Sequence, residues 1–240
     1  MRTDGKKSWR ILLDDPEILQ IALYIRDIAG LCTPGPVSLP GLSVPAGMQP
    51  AVFPPDMLLP AVALPAMEPA LPPLEPSVRV WPSWVRRPSG HPAPLPAGFD
   101  IGAARVQWQR WWNHALMHPD IARRAVAAPR HSAFNAYPEL RWLLRTHYED
   151  AAAWTKARHE DPRYVQNMSV PWSALTELVR EIEDEKKRAA NGFELHITIV
   201  PVNIRHAWVL GPGHLLISRQ LMIDLDNLTD WIRPRLRVMV

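Results

Sequence analysis

Proline placement constrains this chain more than any motif. Of its 27 prolines, 18 fall between residues 33 and 99, from Pro34 to Pro96. Each proline lacks an N–H and clashes with the preceding helical turn, and it pushes the residue before it toward extended geometry. Residues 33–99 therefore cannot form helices of useful length and are expected to be polyproline II and turns. At ~3.1 Å per residue such an arm would reach ~200 Å if fully extended. Only six charged residues interrupt it: Asp56, Glu68, Glu75, Arg79, Arg86 and Arg87. Flexible linkers are polar, whereas this one reads "FPPDMLLPAVALPAMEPALPPLEP". A stiff backbone carrying Leu, Val and Met calls for a covering surface, either its own domain or another chain.

The arm divides the chain into an N-terminal helix (1–32), the proline-rich arm (33–99) and a globular domain (100–240). In the first part, Asp14 or Asp15 can cap a helix, Pro16 suits its first turn and Gly30 can close it. Ile18, Leu19, Ile21, Ala22, Leu23, Ile25 and Ile28 leave only a narrow polar strip at Glu17, Arg26 and Asp27, so the helix must be buried. It either returns to its own domain or docks on a partner.

Beyond the arm the hydrophobic period is helical. Asp100 can cap a helix with Ile101, Ala104, Trp108, Trp111 and Ala115 on one face, ended by Pro119. A short helix fits 119–128 and a long one runs from Pro138 to about His159. Another starts at Pro171, with Trp172, Leu175, Leu178, Val179 and Ile182 as its stripe, and stops at Gly192. The period then becomes two: "FELHITIV" alternates as a half-buried strand, "HAWVL" (206–210) and "HLLIS" (214–218) are two more, and "GPG" (211–213) is the turn between them. Ser218 can cap a following helix, and a last one occupies 227–240, interrupted at Pro234. The expected fold is α+β: a mainly helical domain with a small antiparallel three-stranded sheet near the C-terminus, preceded by the helix and the arm.

Composition narrows the function classes. The net charge of +3 gives little reason to expect a dedicated binder of nucleic acid or of anionic membranes. The one cysteine, Cys32, excludes an internal disulfide and a Cys-rich zinc module. No apolar run is long enough to span a bilayer, and Asp4, Asp14 and Asp15 interrupt any secretory pattern, so the default location is cytoplasmic and no membrane insertion is expected.

Three constellations bear on chemistry. His114 and His118 are four apart on a predicted helix, the spacing by which metallopeptidase helices hold zinc. The general base such a helix needs after its first histidine is replaced by Ala115. Asp120, His147, Glu149 and His159 are candidate further ligands. His196, His206 and His214 all fall in the sheet, with His196 and His214 as cross-strand neighbours. Residues 100–145 carry seven arginines against three acids, interleaved with Trp108, Trp111, Trp112 and Trp142. Arg105, Arg110 and the off-stripe Trp112 are the residues that could meet nucleic acid. No nucleophile elbow or Gly-rich phosphate loop is present.

The stretch "ITIVPVNIRHAWVLGPGHLLISRQLMIDLDNL" (197–228) resembles the strand–strand–helix segment that precedes the active-site helix of gluzincin-type zinc peptidases. The resemblance covers about 30 residues. In that family the zinc-bearing helix comes next, where this sequence reaches Val240, so the resemblance implies a degenerate relative without the catalytic centre.

These readings converge on a non-catalytic binding, adaptor or assembly protein, with no cofactor. Ile18, Ile21 and Ile25 of the helix and Phe53, Met57, Leu58, Leu59 and Leu64 of the arm would engage a protein partner or a neighbouring subunit. A metal-dependent hydrolase using His114 and His118 with zinc is the alternative, and nucleic-acid binding by the Trp/Arg helices is the third reading.

Overall fold

The computed structural model describes residues 9–31, 95–190, 192–202 and 204–240. They divide into two compact units: one holds 16–31 and 95–159, the other 9–15 and 160–240. The boundary at 159/160 falls inside the 100–240 span that the sequence reading treated as one domain.

The first unit is all helical. α1 (Glu17–Ile28) follows Pro16, whose extended backbone starts the helix without a side-chain cap. Gly30 then turns the chain with φ +63°. α2 (Ile101–Met117) begins where the Asp100 carboxylate accepts the N–H groups of Gly102 and Ala103, at 2.8 and 2.9 Å. α3 (Pro119–Ala127) starts at the proline that ends α2. A short 3-10 segment, Pro129–Phe134, leads to α4 (Pro138–His159). α1 packs on both α2 and α4. Every residue of α1 from Ile18 to Arg26 is buried, including Gln20 and Arg26, so the polar strip shrinks to the exposed Glu17 and the half-buried Asp27 at the two ends. Arg26 instead lies 2.6 Å from the Asp27 carboxylate and over the Trp108 ring, a pairing that offsets the cost of burying its charge.

The second unit is a sheet covered by helices. β1 (Arg10–Asp14) is followed after the helical unit by α5 (Pro162–Lys186), β2 (Glu194–Val200), β3 (Ala207–Gly211), β4 (His214–Ser218), α6 (Arg219–Met222) and α7 (Leu225–Met239). The strand order is β1-β2-β4-β3. β1 and β2 are parallel, as are β2 and β4, and only β3 and β4 are antiparallel.

This corrects the expected three-stranded antiparallel sheet: the sheet is mixed and has four strands. The hairpin at 211–213 forms as expected, but it places β4 beside β2 and sends β3 to the edge. The extra strand, "RILLD", pairs with residues 184 positions or so downstream (Ile11 with Leu195, Leu13 with Ile197). Nothing local marks five residues as a strand when their pairing partner is that distant.

Alternation then builds the core. Ile11, Leu195, Ile197, Ile199, Leu215 and Ile217 point to one face, which packs with Leu175, Val179 and Ile182 of α5 and Leu228, Ile232 and Leu236 of α7. Two prolines expected to bound or break helices lie inside them: Pro171 in α5 and Pro234 in α7. Each costs a helical hydrogen bond, while Leu175, Leu178, Val179 and Ile182 of α5 and Leu228, Ile232 and Leu236 of α7 are buried in the core.

Candidate functional site

Each residue singled out from the sequence has a definite place. Ile18, Ile21 and Ile25 are 2, 2 and 0 % exposed, inside the helical unit. They are core residues of α1 and present no face to a partner. This is the physical consequence of a helix that is apolar all round: it has been packed on every side by its own unit. Phe53, Met57, Leu58, Leu59 and Leu64 lie outside the described residues.

Trp112 was expected off the apolar stripe of α2. It is 2 % exposed, stacked on Trp108 with ring centres 5.5 Å apart. A helix contacted by α1, α3 and α4 is covered over a wide arc, so a single i, i+4 stripe underestimates what it buries. Arg110 is exposed and Arg105 is half-buried. With Trp112 in the core, these three residues do not share a surface on which a base could stack.

The histidine pair of α2 is assembled. The His118 N–H donates to the His114 carbonyl at 2.8 Å, so the last helical turn is intact although His118 itself has left helical geometry at φ −139°. Both imidazoles are exposed, with ring centres 5.2 Å apart and planes inclined by 50°. The further ligands proposed from sequence do not join them. His147 is buried in α4, and its low proton affinity comes first from that burial, against which the nearby Asp150 charge acts. His159 bonds Gln20 through its Nε2 at 2.9 Å. Among the described residues, no three His, Cys, Asp or Glu side chains form a group that could enclose a metal ion.

The second pair lies in the sheet. His196 and His214 are register partners on β2 and β4, with ring centres 4.9 Å apart and nearly parallel planes. The strand pairing is parallel rather than antiparallel, yet it brings together the two residues the sequence suggested. The Thr198 hydroxyl lies 3.0 Å from the His214 Nε2, so one ring nitrogen is already engaged. Burial lowers the proton affinity of His214, and the charge of His196 lowers it further. His206 stands apart, just before β3. It is buried against Trp208, with ring centres 4.6 Å apart, and its pKa is lowered by burial.

No protein family, curated protein or solved structure matches this chain.

Sequence reasoning passed over several buried polar groups. Ser218 was expected as a helix cap, and its hydroxyl does accept the Leu221 N–H at 3.3 Å. It also accepts the His206 N–H at 2.9 Å, tying α6 to the start of β3. Gln20 and Arg26 gave a signal that went unused: polar residues spaced through an otherwise apolar helix that must be buried need partners inside. No helix among the described residues is long and apolar enough to cross a membrane.

Proposed function

We propose that this chain is a non-catalytic binding or assembly protein that engages a protein partner, or a second copy of itself, through the proline-rich stretch 33–99. The observation that carries this reading is the composition of that stretch: 18 prolines, six charges and an otherwise apolar filling. A proline-stiffened segment loses less conformational entropy on docking than ordinary chain, and its apolar side chains gain by leaving water.

The geometry at its two ends supports the same reading. The Leu31 N–H donates to the Arg26 carbonyl at 2.8 Å, and Leu31 is buried at the end of α1. Phe99 meets Trp142 edge-on at 5.4 Å, immediately before the Asp100 cap of α2. Both attachments belong to the helical unit, so the stretch leaves from and returns to one packed body. With α1 built into the core, the role of engaging a partner narrows to residues 33–99. A cytoplasmic setting belongs to the same proposal and rests on the single cysteine.

The test replaces Phe53, Met57, Leu58, Leu59 and Leu64 together with serine in the full chain. Sedimentation of the purified protein reads self-association, and quantitative cross-linking in cells reads partners. Loss of assembly or of a reproducible cross-linked partner in the substituted chain is the expected result. Assembly state and cross-links identical to those of the unsubstituted chain would overturn the reading.

A further inference from the structure

We propose that His114 and His118 form a two-imidazole anchor for a borderline divalent transition-metal ion such as Zn2+, Ni2+ or Cu2+. This inference stands independently of the partner-binding stretch. Four observations carry it: an intact last turn of α2, two exposed rings, their separation, and the lack of a competing partner for either ring among the hydrogen bonds described.

The separation is the most specific of these. An imidazole nitrogen binds Zn2+ at about 2.0–2.1 Å, and the ring centre lies about 1.1 Å further out. Two imidazoles held at the tetrahedral angle therefore place their ring centres about 5 Å apart. The observed distance is 5.2 Å. The planes are inclined by 50° rather than stacked, so the two rings do not lie flat against each other.

The sheet pair is a useful contrast. His196 and His214 are as close, but their planes are within 12° of parallel and the Thr198 hydroxyl engages one nitrogen of His214. Each ring of that pair shows its face to the other, which is the wrong aspect for sharing an ion.

Borderline ions are the class that fits, because imidazole suits Zn2+, Ni2+ and Cu2+, whereas Mg2+ and Ca2+ take oxygen ligands. With two protein ligands, the remaining positions belong to water or to groups brought by another molecule. Such a site is an attachment point for a metal, not an enclosed structural centre. The Glu that would make it a hydrolase is absent, as Ala115 follows His114 and is itself buried.

The test is calorimetric titration of the full chain with Zn2+ and Ni2+ at pH 7.5, repeated on H114N, H118N and H196N. Both α2 rings are exposed, so the first two substitutions leave the core untouched, which a thermal melt of each variant checks. The expected result is saturable binding that weakens at least about tenfold in H114N and in H118N and is unchanged in H196N. Absence of saturable binding overturns the proposal. Binding retained in both α2 variants, or lost in H196N, overturns it as well.

Discussion

Trp108 donates its indole N–H to the main-chain carbonyl of Ala22 at 2.8 Å, across 86 residues of sequence. The bond is buried and ties α2 directly to α1. Within α2, the Trp108–Trp112 stack holds the donating indole in place. Trp108→Phe keeps most of the ring and removes the donor. It is expected to cost about 1–2 kcal/mol, and Trp108→Ala about 3–5 kcal/mol. Urea unfolding of the two variants checks the ordering, and a Trp108→Phe loss close to zero would show that the hydrogen bond adds nothing to the packing.

Ile25 separates a core role for α1 from a partner-binding one. It is fully buried, so Ile25→Ala is expected to destabilise the helical unit by about 2–5 kcal/mol. The measurement is the urea midpoint of the purified protein alone. A stability unchanged by the substitution would mean that α1 is not packed as described.

Gly213 and Gly30 both adopt positive φ, at +73° and +63°, but in different surroundings. A methyl group on Gly213 would lie 2.6 Å from the Glu194 carbonyl oxygen, a backbone atom with no freedom to move aside. The Gly213 carbonyl also accepts the His196 N–H at 2.7 Å, so a shift of the turn loosens β2. Among the described residues, nothing lies within 4 Å of the corresponding position on Gly30. Gly30→Ala is expected to cost about 1 kcal/mol from backbone strain, and Gly213→Ala clearly more, about 2–3 kcal/mol or above. Thermal melts of the two variants side by side give the comparison.

Removing the Ser218 hydroxyl strands two donors at once. Ser218 is fully buried and accepts from the His206 and Leu221 N–H groups. Ser218→Ala is expected to cost about 1–3 kcal/mol, more than an exposed helix cap. Hydrogen exchange at His206 and Leu221 reports whether those two amides lose protection first.

Three histidines set the response to acid. Burial lowers the pKa of His147 and of His206, and burial followed by the His196 charge lowers that of His214. Each is harder to protonate in the folded chain than in the unfolded one. The unfolded state therefore binds more protons below the ordinary histidine value of about 6.5. Stability is fully present above that pH and falls as the solution is acidified through it toward the folded values. The urea midpoint is expected to drop between pH 7.5 and 5.5, a window above the ordinary carboxylate range. His206→Phe keeps a ring against Trp208 and removes one titrating group, so its decline should be shallower. A midpoint indifferent to pH over this window would contradict the assignment.

Much of the local structure was readable from single residues. Asp100, Pro119, Pro138 and Ser218 mark helix starts because capping and proline geometry act within one turn. The turn at 211–213 is equally local. Even the His196–His214 neighbourhood followed from alternation, although the strand direction did not.

What remained hidden depended on distant partners. The strand at Arg10–Asp14 exists because β2 supplies its hydrogen bonds from the far end of the chain. Trp112 is buried because several helices close around α2, and Ile18, Ile21 and Ile25 are core because α2 and α4 meet α1. Pro171 and Pro234 sit inside helices whose Leu175, Val179, Ile182, Leu228, Ile232 and Leu236 join a core shared with the sheet. Capping, turning and periodicity are properties of neighbouring residues and are written in their order. Pairing and enclosure are decided only when separated segments compete for the same surface, and that contest is settled in three dimensions.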